Sequence, residues 1–194
     1  MVMVESTMLA LGTQAPAFSL GDVVSGDTIT LDTASDKKAL LIMFICVHCP
    51  FVKHVEQELA KIGHSYSEQA LGIVAISSNS IDTHPQDAPE HMKTQAETQG
   101  FNFPYCYDAT QAVAKAYTAA CTPDFFLFDA DLKLAYRGQL DDSRPGNGKP
   151  VTGRDLRQAI DTLLAGQSLP NTQIPSIGCN IKWISGQAPA YFGA

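Results

Sequence analysis

The 194-residue sequence predicts a single α/β domain: a three-layer sandwich with a central mixed sheet and helices on both faces, an N-terminal β-hairpin and an irregular C-terminal extension. Three observations carry this reading. Ala39–Ile45 and Leu71–Ser77 are apolar runs without a helical period, as central strands buried on both faces should be. Between them, Phe51, Val52, Val55, Leu59 and Ile62 recur at helical spacing, so strand and helix alternate along the chain. Phe125–Phe128 and Lys133–Arg137 flank an Asp129–Asp131 turn and form the clearest hairpin signal.

The elements follow in order. Residues 1–13 read as a loosely held arm, 14–166 as the domain and 167–194 as an extension that wraps it. Ala17–Leu20 and Thr28–Leu31 flank a Gly- and Asp-containing turn and predict the first hairpin. The helix after Pro50 runs to Gly63, a plausible stop, with Lys53, Glu56, Gln57 and Lys61 toward water. Asn79–Pro89 is a polar, proline-broken loop, and Pro89 suits the first position of a helix to about Gln99. A short strand over Phe101–Tyr107 and a short helix over Gln111–Tyr117 come next. Thr152 opens a last helix through Ala165, with Asp155 completing an approximate capping box and Gly166 as the stop. Pro170, Pro175 and Pro189 make the tail irregular.

Composition narrows the function classes. Hydrophobic residues are 45% and charged residues 17%, enough for a sizeable core. A net charge of −7 with scattered Lys and Arg argues against nucleic acid as a partner. The longest apolar stretch, Ala39–Val47, is far short of the ~20 residues a membrane span needs. No basic residue precedes Lys37, so the start does not read as a secretory signal, and a cytoplasmic location is expected. Five cysteines, an odd number, point to reactive or buried thiols rather than a disulfide framework.

The informative segment is Phe44-Ile45-Cys46-Val47-His48-Cys49-Pro50-Phe51, which joins an apolar strand to an amphipathic helix. Cys49 stands just ahead of the first turn, where unsatisfied N–H groups and the helix dipole favour a thiolate. Such a setting lowers a thiol from ~8.5 to roughly 3.5–7.5 and makes it a nucleophile near neutrality. His48 is placed to assist by a hydrogen bond or, when protonated, by its charge.

This junction resembles the active-site turn of the thioredoxin superfamily. From about Thr13 to Ala165 the chain is similar to its peroxiredoxin-like branch, the alkyl hydroperoxide reductase and thiol-specific antioxidant (AhpC/TSA) family. Ala15–Leu20, Phe103-Pro104 with Tyr107-Asp108, and Cys121–Phe126 carry the likeness. His48–Phe51, Arg137–Gly148 and Gly178–Trp183 resemble recurrent pieces of a group of small peroxiredoxin-like proteins. In the thioredoxin frame Phe44 and Lys53 align only if Cys49 is the attacking cysteine, and the second motif cysteine then falls on Val52. In the peroxiredoxin frame Cys49 takes the threonine position and Val52 the peroxidatic one.

The resemblance implies a thioredoxin-like fold and a thiol-based oxidoreductase that reduces peroxides or exchanges disulfides, with no metal or organic cofactor and an external thiol as reductant. It implies a cis-proline at Pro123 packed against the active cysteine, with Thr122 offering backbone groups to a bound thiol or peptide. Cys46, Cys179 and Cys121 stand open as partners that could resolve an oxidised Cys49. Arg137 or Arg144 would stabilise the thiolate or a substrate oxygen, or else be solvated loop charges. Two other classes remain: a non-enzymatic module binding a partner through Thr122-Pro123, and a metal site at Cys46, His48, Cys49 and His54. Cys106 reads as inert core, and Trp183 and Phe192 as packing anchors.

Overall fold

The computed structural model describes residues 3–34 and 36–192. The first two residues of the expected arm and the last two of the extension lie outside the described residues. A five-stranded sheet, ordered β6-β5-β4-β8-β9, forms the middle layer. Its strands are β4 (Ala39–Phe44), β5 (Leu71–Ser77), β6 (Tyr105–Tyr107), β8 (Asp124–Asp129) and β9 (Leu134–Gly138). β4, β5 and β6 run parallel, while β8 and β9 run antiparallel, giving a mixed sheet. Every residue of β4 is buried. Its alternate side chains enter two cores: Ala39, Leu41 and Met43 on one face, Leu40, Ile42 and Phe44 on the other. Each large side chain buried in this way contributes roughly 1.5–3 kcal/mol.

The helices are distributed unequally. α1 (Pro50–Ser65), α2 (Pro89–Gln99) and α4 (Arg154–Leu164) pack on the first face through Val52, Leu59, Met92, Ala96, Leu156 and Ile160. The five-residue α3 (Ala112–Ala116) lies on the second face with the antiparallel pair β2 (Ser19–Gly21) and β3 (Thr28–Thr30). The three-layer expectation holds, and residues of the tail complete the second layer: Ile181 and Trp183 enter that core.

Several local expectations are corrected. Gly63 does not stop α1. The helix passes through it to Ser65, and glycine stands there because a Cβ would lie 2.2 Å from the Asn102 side chain and 2.9 Å from the Phe103 ring. The strand expected from Phe101 begins only at Tyr105, and Phe101 and Phe103 stack at 4.8 Å instead. α4 starts at Arg154 without a capping box. Asp141 accepts the N–H groups of Thr152 and Gly153, while Asp155 binds Gln139 and Arg154.

Among the described residues, the segments near both ends are tied down. β1 (Met3–Glu5) lies within the expected arm and pairs with β10 (Ile177–Asn180), which pairs in turn with β7 (Cys121–Thr122). The arm is pinned further where Ser6 donates to the Asp124 carboxylate at 2.7 Å and Gly12 N–H to the Leu134 carbonyl at 2.8 Å. The extension therefore contributes a regular strand to a second small sheet, and that strand lies over the end of α1.

Candidate active site

β4 delivers the chain to Cys46, and the turn 46–49 leads into α1. Pro50 suits the first helical position, since its missing N–H would go unpaired there. Cys49 is the N-cap in extended conformation, and its carbonyl accepts the first helical bond from Lys53 at 3.0 Å. No side-chain capping bond closes at this end. The backbone amides contribute through the helix dipole, and the Val52 N–H also favours the anion.

Other thiols contribute more. The Cys49 and Cys179 sulfurs are 2.9 Å apart, and Cys179 is delivered by β10 in register with Thr122. Thr122-Pro123 is a cis peptide bond, as the resemblance implies. The Thr122 carbonyl lies 3.2 Å from Cys49 Sγ, and its hydroxyl lies 3.4 Å from Cys46 Sγ.

Hydrogen bonds from the Cys179 and Cys46 thiols outweigh burial and hold Cys49 far below the ordinary thiol range, down to about 2. The Thr122 carbonyl opposes them, because an acceptor beside a sulfur anion favours the protonated form. Cys179 is pushed up by hydrogen bonding to Cys49, then by burial and the adjacent negative charge. Cys46 is pushed up by burial, by its hydrogen bond to Cys49 and by the charge of Asp87. The three thiols therefore favour the anion at Cys49.

The surroundings differ from a freely reachable thiol. Cys49 is 0% exposed and Cys179 1%. Gly178 explains how closely the tail can approach: a Cβ there would sit 2.1 Å from the Thr122 carbonyl oxygen. The backbone that Thr122 was expected to offer to a partner is already engaged by the chain's own β10.

The His48 ring bonds Asp87 and makes no hydrogen bond to Cys49. Its Nδ1 is 2.5 Å from Asp87 Oδ2, and its ring stacks on His84 with centroids 4.9 Å apart. Asp87 went unrecognised in the sequence. It is fully buried, its Oδ1 accepts the N–H groups of Val47 and His48 at 2.9 and 3.0 Å, and its Oδ2 also accepts from Asn79. Burial alone would raise the Asp87 carboxyl, but these bonds, led by that from the His48 ring, hold it below the ordinary value. Asp87 thereby fixes the shape of the 46–49 turn from forty residues away. No local pattern announces it, since an aspartate in a polar, proline-broken stretch reads as solvated.

The metal cluster expected at Cys46, His48, Cys49 and His54 is not assembled. Cys46, His48 and Asp87 bring possible ligand atoms within 4.8 Å of one another, but His54 lies elsewhere. It lines a cleft of about 20 Å³ with Phe51, Pro123, Arg144 and Ser176, room for roughly one water.

Arg137 is also corrected. It is buried, donates to the Thr118 carbonyl at 3.0 Å, pairs with Asp124 at 3.5 Å and lies 4.6 Å over the Phe126 ring. Its charge serves a structural ion pair and makes no bond to a thiol. Arg144 bonds the Asp141 and Ser143 carbonyls and Gln139, organising the loop beside Pro123. Cys106 and Cys121 are buried; burial pushes Cys106 up to about 12 and Cys121 upward as well. Trp183 packs into the second core, whereas Phe192, expected as an anchor, is 41% exposed.

Comparison with known proteins agrees with this architecture. No curated protein matches the chain. The crystal structure of an uncharacterised conserved protein from Geobacillus kaustophilus is 55% identical, covering 96% of this chain and 98% of that one, with a TM-score of 0.93. A hypothetical protein from Sinorhizobium meliloti is 49% identical over 94% of this chain and 99% of its own, with a TM-score of 0.92. The thioredoxin domain of a thiol-disulfide oxidoreductase from Bacteroides vulgatus shares the fold at 19% identity and a TM-score of 0.63, covering 80% of this chain and 99% of that one. The model of the AhpC/TSA family matches residues 11–137, more than half of the chain. With its thioredoxin-like sheet and its cysteine at the strand-to-helix turn, the chain belongs to the AhpC/TSA family.

Proposed function

We propose that the protein is a thiol-based oxidoreductase in which Cys49 attacks and Cys179 resolves. The observation that carries this reading is the 2.9 Å approach of the two sulfurs at the first turn of α1, about 0.9 Å beyond a disulfide bond of roughly 2.05 Å. With a hydroperoxide, the Cys49 thiolate takes the terminal hydroxyl as a sulfenic acid, and the alkoxide or hydroxide leaves and is protonated. The Cys179 thiol then displaces water and closes the disulfide. With a disulfide substrate, Cys49 forms a mixed disulfide and Cys179 expels the bound thiol.

An external thiol returns both to the reduced state, and a thiol-reducing compartment such as the cytoplasm suits this cycle. No helix among the described residues is long and apolar enough to cross a membrane. Because neither sulfur is exposed, a small oxidant requires a local opening at the tail, and a protein disulfide requires β10 to lift from Thr122.

Mass spectrometry after one equivalent of hydrogen peroxide tests this. Quenched early, wild type should carry a Cys49–Cys179 disulfide, Cys179→Ser a Cys49 sulfenic acid, and Cys49→Ser neither. Equal peroxide consumption by wild type and Cys49→Ser refutes the assignment.

A further inference from the structure

The Cys49–Cys179 pair leaves Cys46, His48 and Asp87 without a part in the chemistry, although all three meet beside Cys49. The Cys46 sulfur, a ring nitrogen of His48 and a carboxylate oxygen of Asp87 lie within 4.8 Å of one another. Thr122 touches both turn cysteines, its hydroxyl 3.4 Å from Cys46 Sγ and its carbonyl 3.2 Å from Cys49 Sγ, so Cys49 has a thiol neighbour on each side: Cys46 on its own turn and Cys179 on the tail. We propose that Cys46 is a second resolving thiol, deprotonated by the His48–Asp87 pair, that takes the disulfide over from Cys179 and releases the tail. This rests on the reading of Cys49 and Cys179 given above and extends it to a three-cysteine relay.

The step balances without a further oxidant. Cys46 gives its proton to His48, and its sulfur attacks the Cys49 sulfur. The Cys46–Cys49 bond forms as the Cys49–Cys179 bond breaks, and the electron pair leaves on the Cys179 sulfur, which takes up a proton. Asp87 holds the Nδ1 side of His48 and stabilises the imidazolium formed while the proton is in transit, so it is a positioning residue for that transfer.

The order of events is built into the cluster. Burial and the Asp87 charge hold Cys46 toward the protonated form throughout, and while Cys49 is a thiolate its contact and its negative charge suppress ionisation further. Binding Cys49 into a disulfide removes the last two influences, so Cys46 becomes a better nucleophile only after the first disulfide exists. Release of Cys179 then frees β10 from its covalent tie to α1. The disulfide that remains spans the 46–49 turn, which also carries His48, whose ring keeps some exposure.

The relay is tested by treating the full-length protein with one equivalent of hydrogen peroxide, quenching with an alkylating agent at timed intervals and mapping disulfides. Wild type should show Cys49–Cys179 first and Cys46–Cys49 later, with Cys179 becoming alkylated as the second forms. Cys46→Ser should stop at Cys49–Cys179 and be reduced by dithiothreitol about tenfold more slowly; Cys46→Ala should behave alike, separating loss of the thiol from any disturbance of the Thr122 contact. Asp87→Asn disturbs the 46–49 turn and should slow both steps, but the second about tenfold more than the first, a split that a general loosening of the turn would not produce. A Cys49–Cys179 disulfide that persists in wild type while Cys46 stays free, or equal rates of reduction in Cys46→Ser and wild type, overturns the relay alone. Absence of any disulfide at Cys49 overturns the underlying reading and the relay with it.

Discussion

Replacing Gly178 by alanine isolates the role of the tail. The new Cβ would stand 2.1 Å from the Thr122 oxygen, 2.7 Å from its carbonyl carbon and 3.2 Å from Pro123 N. These are backbone atoms at the end of the central sheet and cannot rotate aside as a side chain would, so β10 must move. Overpacking of this kind costs roughly 1–3 kcal/mol. β10 and β1 form a peripheral sheet separate from the five-stranded one, so the cost falls on local opening of the tail. It should raise the open population about 5- to 150-fold, at 1.4 kcal/mol per factor of ten. Iodoacetamide labelling read by mass spectrometry measures this directly. Cys179 labelling should accelerate by that factor, and the yield of Cys49–Cys179 disulfide should fall, while Cys106 labels as slowly as in wild type. If Gly178→Ala labels and cross-links like wild type, the close approach of β10 to Thr122 does not hold Cys179 over Cys49.

Three further outcomes follow from the same contacts. Arg137→Met leaves the Asp124 carboxylate buried beside Ser6 and Ala120 without its cation and should cost about 3–5 kcal/mol in urea unfolding, part of it recovered by adding Asp124→Asn. Asp87 has its carboxyl held below the unfolded value, so its contribution is fully present above about pH 4 and is lost as pH falls through the folded value; denaturation midpoints of Asp87→Asn should fall less steeply with acid than those of wild type. Gly63→Ala, usually favourable in a helix, should instead destabilise by roughly 1–2 kcal/mol, because α1 packs there against Asn102 and Phe103.

The central sheet was legible because β4 and β5 are buried on both faces, which leaves unbroken apolar runs in the sequence. Cys49 was legible for a related reason: a proline directly after a strand and before an amphipathic stretch marks where a helix can begin. The partners of that cysteine were harder to see. β10 is four residues containing a glycine, close behind Pro175, and it becomes a strand only because β1 and β7 present their edges to it. Asp87 acts on Val47 and His48 across forty residues of chain, and such a contact leaves no mark in local periodicity. Arg137 carries a usable signal in the sequence. An arginine in a strand opposite Phe126 must be buried, and a buried guanidinium needs an acid, which Asp124 at the start of β8 supplies.

The thiolate at Cys49 is the claim on which the chemistry depends, and its titration tests that claim most directly. Ultraviolet thiolate absorbance of wild type minus that of Cys49→Ser, followed from acid to alkaline pH, should already show the anion below about pH 7. A difference signal that appears only above about pH 9, in the range of an unperturbed or buried thiol, would mean that the Thr122 carbonyl and burial outweigh the neighbouring thiols, and would contradict the account.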